Sequence, residues 1–358
     1  MTEPWVSAPA AIGRFLLFGS ERYALPILQP LAAEIRRRGG EVAWYLHGES
    51  AGELPATQSR LTSVAAVRRW QPRAVFAACN WVPGFFPGLK VQVFHGFSVG
   101  KRSAERGHFR IRGLFDLYCT QGPATTVEFS RLQREQGHFQ VVETGWPKLD
   151  PLFAPASASD SLRPADGRPV IAFGSTFTTG LSCAQTLYPE IARMVASGEW
   201  FWLLTLHPKS APELFERYRA LAGDNARFVE PDQLLQLLRD GDVLFSDTSS
   251  LVEEFAVQLK PVVTFRNRSP KAHMLDIDDP AAVERSLRMA LVTPSALMDK
   301  LLENSLSIHP YRDGRSSGRV LDATLAMLSG NGRAGISGKP WNLWRRLQIR
   351  AWLHYWRW

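Results

Sequence analysis

Short apolar runs alternate with amphipathic segments along the first part of the chain. Runs of this kind are typical of buried strands, and they are predicted at residues 14–20, 41–46, 73–78, 90–94 and 114–120. Residues 24–38 place apolar side chains at helical spacing and are followed by Gly39-Gly40, a usual end of a helix. Strands separated by helical segments indicate a parallel sheet with helices on both faces.

A polar segment at residues 153–168 interrupts this alternation. It is rich in Ala, Ser, Pro and Asp and lacks apolar periodicity, so we interpret it as an interdomain linker. The alternation then restarts, with strands predicted at 169–173, 200–206, 226–229, 243–245 and 261–265, and helices at 184–196, 211–222, 232–239 and 250–258. The predicted fold class is α/β, with two Rossmann-like doubly wound domains facing a cleft. They occupy residues 1–152 (acceptor side) and 169–330 (nucleotide-donor side), and a helical tail follows at 331–358.

The positive charge of the chain is concentrated in that tail. The formal net charge is +8, and six Lys and Arg residues but no Asp or Glu follow Asp322. The rest is close to neutral and offers no basic stripe or aromatic platform for nucleic acid. No apolar run approaches the ~20 residues that span a bilayer, and we expect no secretory signal. The three distant cysteines suit a reducing compartment and exclude a disulfide framework and a Cys-rich zinc site.

Residues 243–255 carry the strongest chemical signal. An apolar strand leads into a loop of small polar residues, Ser246, Asp247, Thr248, Ser249 and Ser250. A helix then begins, and its first N–H groups together with the helix dipole can bind a phosphate. The same residue types are ordinary helix caps, which is the alternative. Glu254, one turn later, either accepts hydrogen bonds from a ribose or lies on a solvated face.

One histidine follows a predicted strand in each domain. Pro208 restricts His207 to an extended conformation, and as an imidazolium this side chain can neutralise a leaving nucleotide. We group Lys209 with the donor-phosphate ligands. His95 can be the general base for an acceptor hydroxyl. A structural role is the alternative for each histidine. The acceptor-side loop after His95 comprises Gly96, Ser98, Lys101 and Arg102.

Two further polar motifs lie before the linker and near the end of the predicted second domain. Residues 144–150 read TGWPKLD, a turn-forming stretch before the linker, and residues 311–320 read YRDGRSSGRV, a loop before a helix predicted at 319–328. Arg312, Ser316 and Ser317 are candidate phosphate donors in the second motif. The alternative is a loop that only caps the helix.

Together the motifs resemble those of the CDP-glycerol glycerophosphotransferase family, the teichoic-acid primases and polymerases. The matching features are His95-Gly96 with Lys101 following, Gly145-x-Pro147-Lys148-x-Asp150, His207-Pro208, Ser246-Asp247-x-Ser249-Ser250, and Asp313-Gly314-x-Ser316-Ser317-x-Arg319-Val320. Each motif is short. Their joint order across residues 95–320 makes the signal specific.

The resemblance implies a glycosyltransferase-B fold and transfer of a phosphoalcohol from a CDP-linked donor without a metal or cofactor. It implies that His95 is the base on the acceptor hydroxyl. It also implies that His207 and the helix start at Ser249 and Ser250 hold the donor pyrophosphate. The chain departs from the family where Phe97-Ser98 follow His95-Gly96, and at Lys148, where the family often has Arg.

Residues 247–254 also resemble the nucleotide loop of UDP-N-acetylglucosamine 2-epimerases. Those enzymes have acidic catalytic residues near the first-domain motif, and the segment HGFSVGKR has none. An epimerase is therefore disfavoured. The donor stays open between a CDP-polyol and another nucleotide sugar.

The tail sequence WNLWRRLQIRAWLHYWRW predicts an amphipathic helix. Its tryptophans and arginines are typical of a helix at a membrane interface, where rings lie among headgroups and arginines bind anionic lipid. The candidate membrane residues are Trp341, Trp344, Arg346, Arg350, Trp352 and Trp356. The alternative is a helix that packs across the two domains.

The sequence thus predicts a cytoplasmic transferase, peripheral on the inner face of the cell membrane. It would move glycerol-phosphate, or a related polyol-phosphate, from a CDP-linked donor to a hydroxyl of a lipid- or glycan-linked acceptor of a cell-envelope polymer. One alternative is a sugar transferase of the same fold with a nucleotide-sugar donor. Another is a non-catalytic nucleotide-binding scaffold at the membrane. The expected partners are the donor, the acceptor and an anionic membrane surface, and not nucleic acid.

Overall fold

The computed structural model describes residues 12–48, 54, 57–97, 107–155, 161–330 and 336–356. The chain forms two compact units. The first contains Met1–Asp150 and Asp313–Trp358, and the second contains Pro151–Arg312. The sequence pattern placed residues 313–330 in the second domain, whereas the structure places them in the first unit.

The described residues form the following elements in chain order. The strands are β1 (Arg14–Gly19), β2 (Glu41–Leu46), β3 (Ala74–Ala77), β4 (Leu89–Gln92), β5 (Leu117–Thr120), β6 (Gln140–Glu143), β7 (Val170–Ser175), β8 (Phe201–Leu206), β9 (Ala226–Phe228), β10 (Val243–Ser246), β11 (Val262–Phe265) and β12 (Met274–Ile277). The helices are α1 (Ala24–Arg37), α2 (Val64–Trp70), α3 (Pro123–Gln136), α4 (Asp150–Phe153), α5 (Ala184–Ser197), α6 (Pro212–Arg219), α7 (Leu234–Asp240), α8 (Leu251–Ala256), α9 (Val283–Val292), α10 (Ser295–Ile308), α11 (Ser316–Leu328) and α12 (Leu343–Trp352).

Each unit is built on a six-stranded parallel sheet. The strand order is β2-β1-β3-β4-β5-β6 in the first unit and β12-β11-β10-β7-β8-β9 in the second. Central strands such as β8 are buried along their whole length, because helices cover both faces of a parallel sheet. The order of the second sheet reverses between β7 and β10, and ligands of doubly wound sheets bind at such a reversal, beyond the carboxyl ends of the strands.

The predicted α/β class with two Rossmann-like units is confirmed, and most predicted strands begin and end within a few residues of the observed ones. The sequence pattern does not reveal β6 or β12, because these edge strands are only partly buried and lack a continuous apolar run. The sequence pattern also places the start of α11 three residues later than the structure does. None of the described helices has the length and hydropathy that crossing a membrane requires.

Candidate active site

The reversal point of the second sheet lies between the loops that follow β7 and β10. Asp247 directly follows β10 and is fully buried. Its carboxylate accepts hydrogen bonds from the Ser175 hydroxyl (2.5 Å) and from the backbone N–H groups of Thr176 (3.0 Å) and Cys183 (3.0 Å). Burial raises the pKa of this carboxyl, and these donors oppose the effect. Asp247 therefore shapes the loop between β7 and α5, and the structure does not support its predicted role as a phosphate ligand.

The small residues on either side of Asp247 divide into inward and outward groups. Ser246 is buried, and its hydroxyl donates to the Gly174 carbonyl (2.6 Å), so its predicted contact with a donor is not supported either. Thr248 is half-buried and accepts the N–H of Arg268 (2.9 Å). Ser249 is half-buried and its Oγ accepts the N–H of Leu251 (3.3 Å), as a helix cap does, while its O–H can still donate to a ligand; Ser250 is exposed.

His207 follows β8, the neighbour of β7 in the same sheet. Two strand spacings separate it from β10, roughly 10 Å in the plane of the sheet. Its ring is exposed and packs at 4.3 Å between centroids on Phe177, in the loop after β7. The N–H of Lys209 donates to Nδ1 of His207 (3.1 Å). Nδ1 is therefore the unprotonated nitrogen, and Nε2 carries the proton of the neutral ring.

This geometry changes the predicted charge of His207. Burial and the positive charge of Lys209 both lower the pKa of the imidazole below its usual value. A proton on Nδ1 would also cost the hydrogen bond from Lys209. The sequence predicted an imidazolium, whereas the structure favours a neutral ring whose Nε2–H is a hydrogen-bond donor. Lys209 is exposed close by and supplies the positive charge.

The acidic pair on α8 is arranged differently from the prediction. Glu254, predicted to bind a ribose, is buried. Glu253 is the more accessible of the two, and its carboxylate pairs with Lys271 and accepts from the Asn304 amide (2.9 Å). His273 lies 3.5 Å from the same carboxylate. Ribose binding by Glu254 stays a prediction that requires its side chain to move.

A basic loop after β11 lies beside the predicted phosphate loop and is not among the predicted site residues. The Asn267 side-chain amide donates to the Asp247 carbonyl (3.1 Å), and the N–H of Arg268 donates to Thr248. Arg268 is exposed at this point. The sequence signal is the run RNRSPK directly after an apolar strand, with three cations beyond a carboxyl strand end.

His95 follows β4 in the first unit. Its Nδ1 lies 3.2 Å from the carbonyl oxygen of Ala78, which follows the neighbouring strand β3. A carbonyl oxygen only accepts hydrogen bonds, so Nδ1 carries the proton and Nε2 keeps its lone pair. The ring is exposed and stacks on Tyr23 with centroids 4.9 Å apart. Gly96 is half-buried beside it, and Ser98, Lys101 and Arg102 lie outside the described residues.

Ser316 and Ser317 do not lie in a donor site of the second unit. Both are buried at the start of α11 in the first unit, where their N–H groups donate to the Asp150 carboxylate (2.8 and 2.7 Å). Farther along α11, Asp322 pairs with Arg38 at the end of α1. The helix start is thus occupied by a carboxylate of the protein, which supports the capping alternative. Arg312 is exposed at the end of the second unit.

The tail packs on the first unit through one face of α12. Ile349 is buried in the apolar core of that unit, and the Arg350 guanidinium lies 5.1 Å from the Phe85 ring. Before the helix, Lys339 pairs with Asp116 (2.8 Å). Several tail tryptophans remain exposed: Trp341 (84%), Trp344 (75%), Trp352 (50%) and Trp356 (55%). Arg346 is also exposed. One face of α12 therefore packs on the first unit, and four tryptophans of the tail stay at least half exposed.

Among the described residues, no three His, Cys, Asp or Glu side chains lie together as metal ligands would. The metal independence that the resemblance implies stays a prediction. At a strand end of the first unit, the arrangement offers the exposed His95 imidazole, whose Nε2 is unprotonated. At strand ends of the second unit it offers one exposed imidazole N–H donor, two hydroxyls and exposed cations. These groups suit proton abstraction and phosphate binding respectively.

Two doubly wound units with polar groups at their carboxyl strand ends define the glycosyltransferase-B fold class. No protein-family model matches the chain. The teichoic acid ribitol-phosphate polymerase TarL of Staphylococcus aureus is 30% identical over 141 residues, which are 35% of this chain and 24% of that protein. The match therefore spans about a quarter of the curated relative.

Solved structures are similar over most of the chain. The wall teichoic acid polymerase TagF superimposes with a TM-score of 0.65 at 14% identity, over 88% of this chain and 89% of that one. A protein of Listeria monocytogenes named as a UDP-N-acetylglucosamine 2-epimerase superimposes with a TM-score of 0.63 at 15% identity, over 92% of this chain and all (100%) of that one. These likenesses confirm the predicted fold, and the resemblance to teichoic-acid polymerases that the motifs indicated is confirmed with them.

Proposed function

We propose that the protein is a transferase that moves glycerol-phosphate, or a related polyol-phosphate, from a CDP-linked donor to a hydroxyl of a lipid- or glycan-linked acceptor of a cell-envelope polymer. Similarity in sequence to TarL and in fold to TagF supports this class of reaction. Solved structures of TagF include variants in which a histidine is replaced and one soaked with CDPG.

The observation that carries the proposal is the opposite hydrogen bonding of two exposed histidines at carboxyl strand ends. Nδ1 of His95 donates to the Ala78 carbonyl, so Nε2 can take a proton. Nδ1 of His207 accepts the N–H of Lys209, so Nε2–H can donate a hydrogen bond. Phosphoryl transfer to an alcohol requires these two functions, a base for the hydroxyl and a donor for the developing phosphate charge.

In the proposed reaction, Nε2 of His95 removes the proton of the acceptor hydroxyl. The acceptor oxygen forms a bond to the phosphorus that carries the polyol, and the bond from that phosphorus to the bridging oxygen breaks. The electron pair leaves with CMP, and the product is a phosphodiester. Nε2–H of His207 donates to the phosphate oxygens on which negative charge develops.

Hydroxyls and cations at carboxyl strand ends of the second unit would hold the donor. Ser249 and Ser250 supply hydroxyls beyond β10, Lys209 supplies positive charge beyond β8, and Arg268 supplies it beyond β11. Related folds bind nucleotides: MnaA of S. aureus is known as a UDP co-structure, and a Neisseria meningitidis epimerase is known with UDP-GlcNAc. These structures support a nucleotide-activated donor, and they keep a nucleotide sugar as the second candidate.

The nucleotide product separates the candidates. Purified protein is incubated with CDP-glycerol, CDP-ribitol or UDP-sugars and a lipid-linked acceptor, and released nucleotide is resolved by ion-exchange chromatography. Polyol-phosphate transfer releases CMP, whereas sugar transfer releases the nucleoside diphosphate. Release of a diphosphate alone would favour the sugar transferase. Nucleotide binding without turnover on any acceptor would favour the non-catalytic scaffold.

We also propose that the tail holds the enzyme at an anionic membrane surface, on the cytoplasmic side. Ile349 and Lys339 attach the tail to the first unit, whereas Trp341 and Trp344 stay in solvent at 84% and 75% exposure. Exposed large rings beside arginines fit a lipid interface, where rings enter the headgroup region and guanidinium groups bind lipid phosphates.

Substitution of the exposed rings tests this placement better than truncation, which would also remove buried Ile349. The variant Trp341→Ser with Trp344→Ser is expected to bind phosphatidylglycerol-containing vesicles at least about tenfold more weakly, because burying one large apolar side chain contributes about 1.5–3 kcal/mol. The matched control is Val292→Ser, which replaces an 80% exposed residue of α9. Equal cosedimentation of both proteins would leave the tail with a structural role only.

A further inference from the structure

The backbone immediately before His95 has an unfavourable conformation. Phe94 has a φ of +57°, the left-handed region that costs a residue with a side chain roughly 1–2 kcal/mol. Its ring is buried and packs on Phe129 (5.0 Å between centroids) and on His108 (4.9 Å). The turn therefore cannot relax by rotating the backbone without moving this ring out of the core. Strained residues of this kind persist only where the surroundings hold them.

Two side chains hold the carbonyl groups on either side of His95. Nε2 of Gln121 donates to the Gly96 carbonyl (2.9 Å), and Nε1 of Trp146 donates to the Phe94 carbonyl (3.4 Å). Gln121 directly follows β5, and Trp146 belongs to the TGWPKLD motif after β6. The three neighbouring strands β4, β5 and β6 thus each contribute one part of this arrangement, the turn and its two donors. Trp146 also packs edge-on against Phe97, the residue after Gly96 (5.0 Å).

The burial of Gln121 indicates that its hydrogen bond to the Gly96 carbonyl does more than stabilise the fold. The side chain is fully buried, and its Oε1 has no hydrogen-bond partner among the residues that the structure describes. A buried acceptor without a partner is destabilising, and an apolar side chain of similar length would avoid that cost. The amide keeps one donor, and that donor holds the loop that carries His95.

We propose that Gln121 and Trp146 are positioning residues for the base. By holding the Gly96 and Phe94 carbonyls they keep the ring of His95 where Nδ1–H meets the Ala78 carbonyl and Nε2 faces the acceptor hydroxyl. This assignment rests on the proposed function for the role of His95 as the base. The hydrogen bonds to the loop do not depend on that function.

The test uses Gln121→Met, Trp146→Phe and the double variant in the full chain. Gln121→Met keeps a similar volume, Trp146→Phe keeps an aromatic ring, and each substitution removes the hydrogen bond that the side chain donates to the loop. The matched control is Gln133→Met, which removes two hydrogen bonds at the sheet edge, to Gln140 and from Val141. Thermal melting establishes that each variant folds. Turnover gives kcat and the KM for the donor, and long-range ¹H–¹⁵N spectra of histidine-labelled protein report which nitrogen of His95 is protonated.

Each single variant is expected to lower kcat about 10–100-fold with an unchanged donor KM, because an error of about 1 Å in placing a reacting group costs roughly that much. The His95 spectrum should change from the Nδ1–H pattern to a mixture of both tautomers, while Gln133→Met changes neither readout. Folded variants that keep the Nδ1–H pattern of His95 and the wild-type kcat would overturn the assignment. If the spectrum changes but no variant, including the wild type, turns over a CDP-linked donor, the positioning stands and the proposed function fails.

Discussion

His95 and His207 each lie beyond the carboxyl end of a strand, one in each sheet, and both side chains are exposed. Their Nδ1 atoms have opposite partners: Nδ1 of His95 faces the Ala78 carbonyl, and Nδ1 of His207 faces the Lys209 N–H. That contact fixes which ring nitrogen carries the proton, so Nε2 is unprotonated in one imidazole and is a donor in the other. A histidine at a carboxyl strand end can therefore serve opposite functions, depending on whether its backbone neighbour accepts or donates.

Replacing the proposed base, His95, has the largest expected effect. His95→Ala is expected to lower kcat about 10²–10⁴-fold, the contribution typical of a general base, because no other group then takes the acceptor proton. His95→Gln should be equally inactive, since an amide cannot act as a base. CMP release measures turnover, and calorimetric binding of the CDP-linked donor should be unchanged in both variants. Rates within a few-fold of wild type would remove His95 from the mechanism.

Replacing His207, the proposed hydrogen-bond donor, should lower kcat less than replacing His95. Glutamine at this position should restore part of the lost turnover. His207→Ala is expected to lower kcat about 10²–10³-fold, as the loss of one donor to a developing oxyanion does. His207→Gln should recover part of that rate, because the amide N–H can donate where Nε2–H did. Glutamine thus distinguishes the two histidines, because it should restore part of the turnover at position 207 and none at position 95. An inactive His207→Gln that still binds donor would indicate that His207 transfers a proton.

Acid conditions should weaken the fold, and His108 is one cause. Burial, and to a lesser extent the charge of His95, lower the pKa of His108 to about 4. Since this group stays neutral when folded and is protonated when unfolded, its contribution to stability is complete above pH 6.5 and is lost as the pH falls towards 4. Urea unfolding should show a loss on the order of 2 kcal/mol from pH 6.5 to 5 that His108→Phe removes.

The control for the unfolding experiment is the turnover of the same variant at the same pH values. His108→Phe removes this loss of stability, so any loss of turnover in acid that remains in the variant has another cause. If the variant instead keeps its turnover in acid, unfolding through His108 limits the wild-type enzyme there.

The smallest expected effect concerns the charge beside His207. Burial is the larger cause and Lys209 the smaller cause of the lowered pKa of this imidazole. Lys209→Met should therefore raise the midpoint of the His207 titration, followed by its ring ¹H signal, and leave it below the usual value. The variant keeps the backbone N–H that binds Nδ1. A midpoint that falls or does not move would contradict the assigned electrostatics.

Apolar patterning predicted the strands that are buried on both faces, such as β8, because burial on both faces requires a continuous run of mostly apolar residues. Edge strands β6 and β12 were missed because partial burial leaves mixed residue types. The placement of residues 313–330 was also beyond the local pattern. It depends on Asp150, which binds the start of α11 from 166 residues away along the chain.

The site residues show the same limit. The polar types after β10 correctly marked a strand end, but the direction of each side chain depends on neighbouring strands. Ser246 and Asp247 turn inward because Gly174 and the loop after β7 offer them partners, and Ser249 and Ser250 are left at the edge. The tautomers of His95 and His207 depend on single backbone groups, and the charge of His207 depends on burial and on Lys209. Those contacts cannot be read from residue types alone.

The two histidines should carry their protons on opposite nitrogens. Long-range ¹H–¹⁵N correlation spectra of the ¹⁵N-histidine-labelled protein near neutral pH test this directly. His95→Gln and His207→Gln spectra assign the two signals. We expect an Nδ1–H pattern for His95 and an Nε2–H pattern for His207 in the same sample. The same pattern for both rings, or the two patterns exchanged, would contradict it.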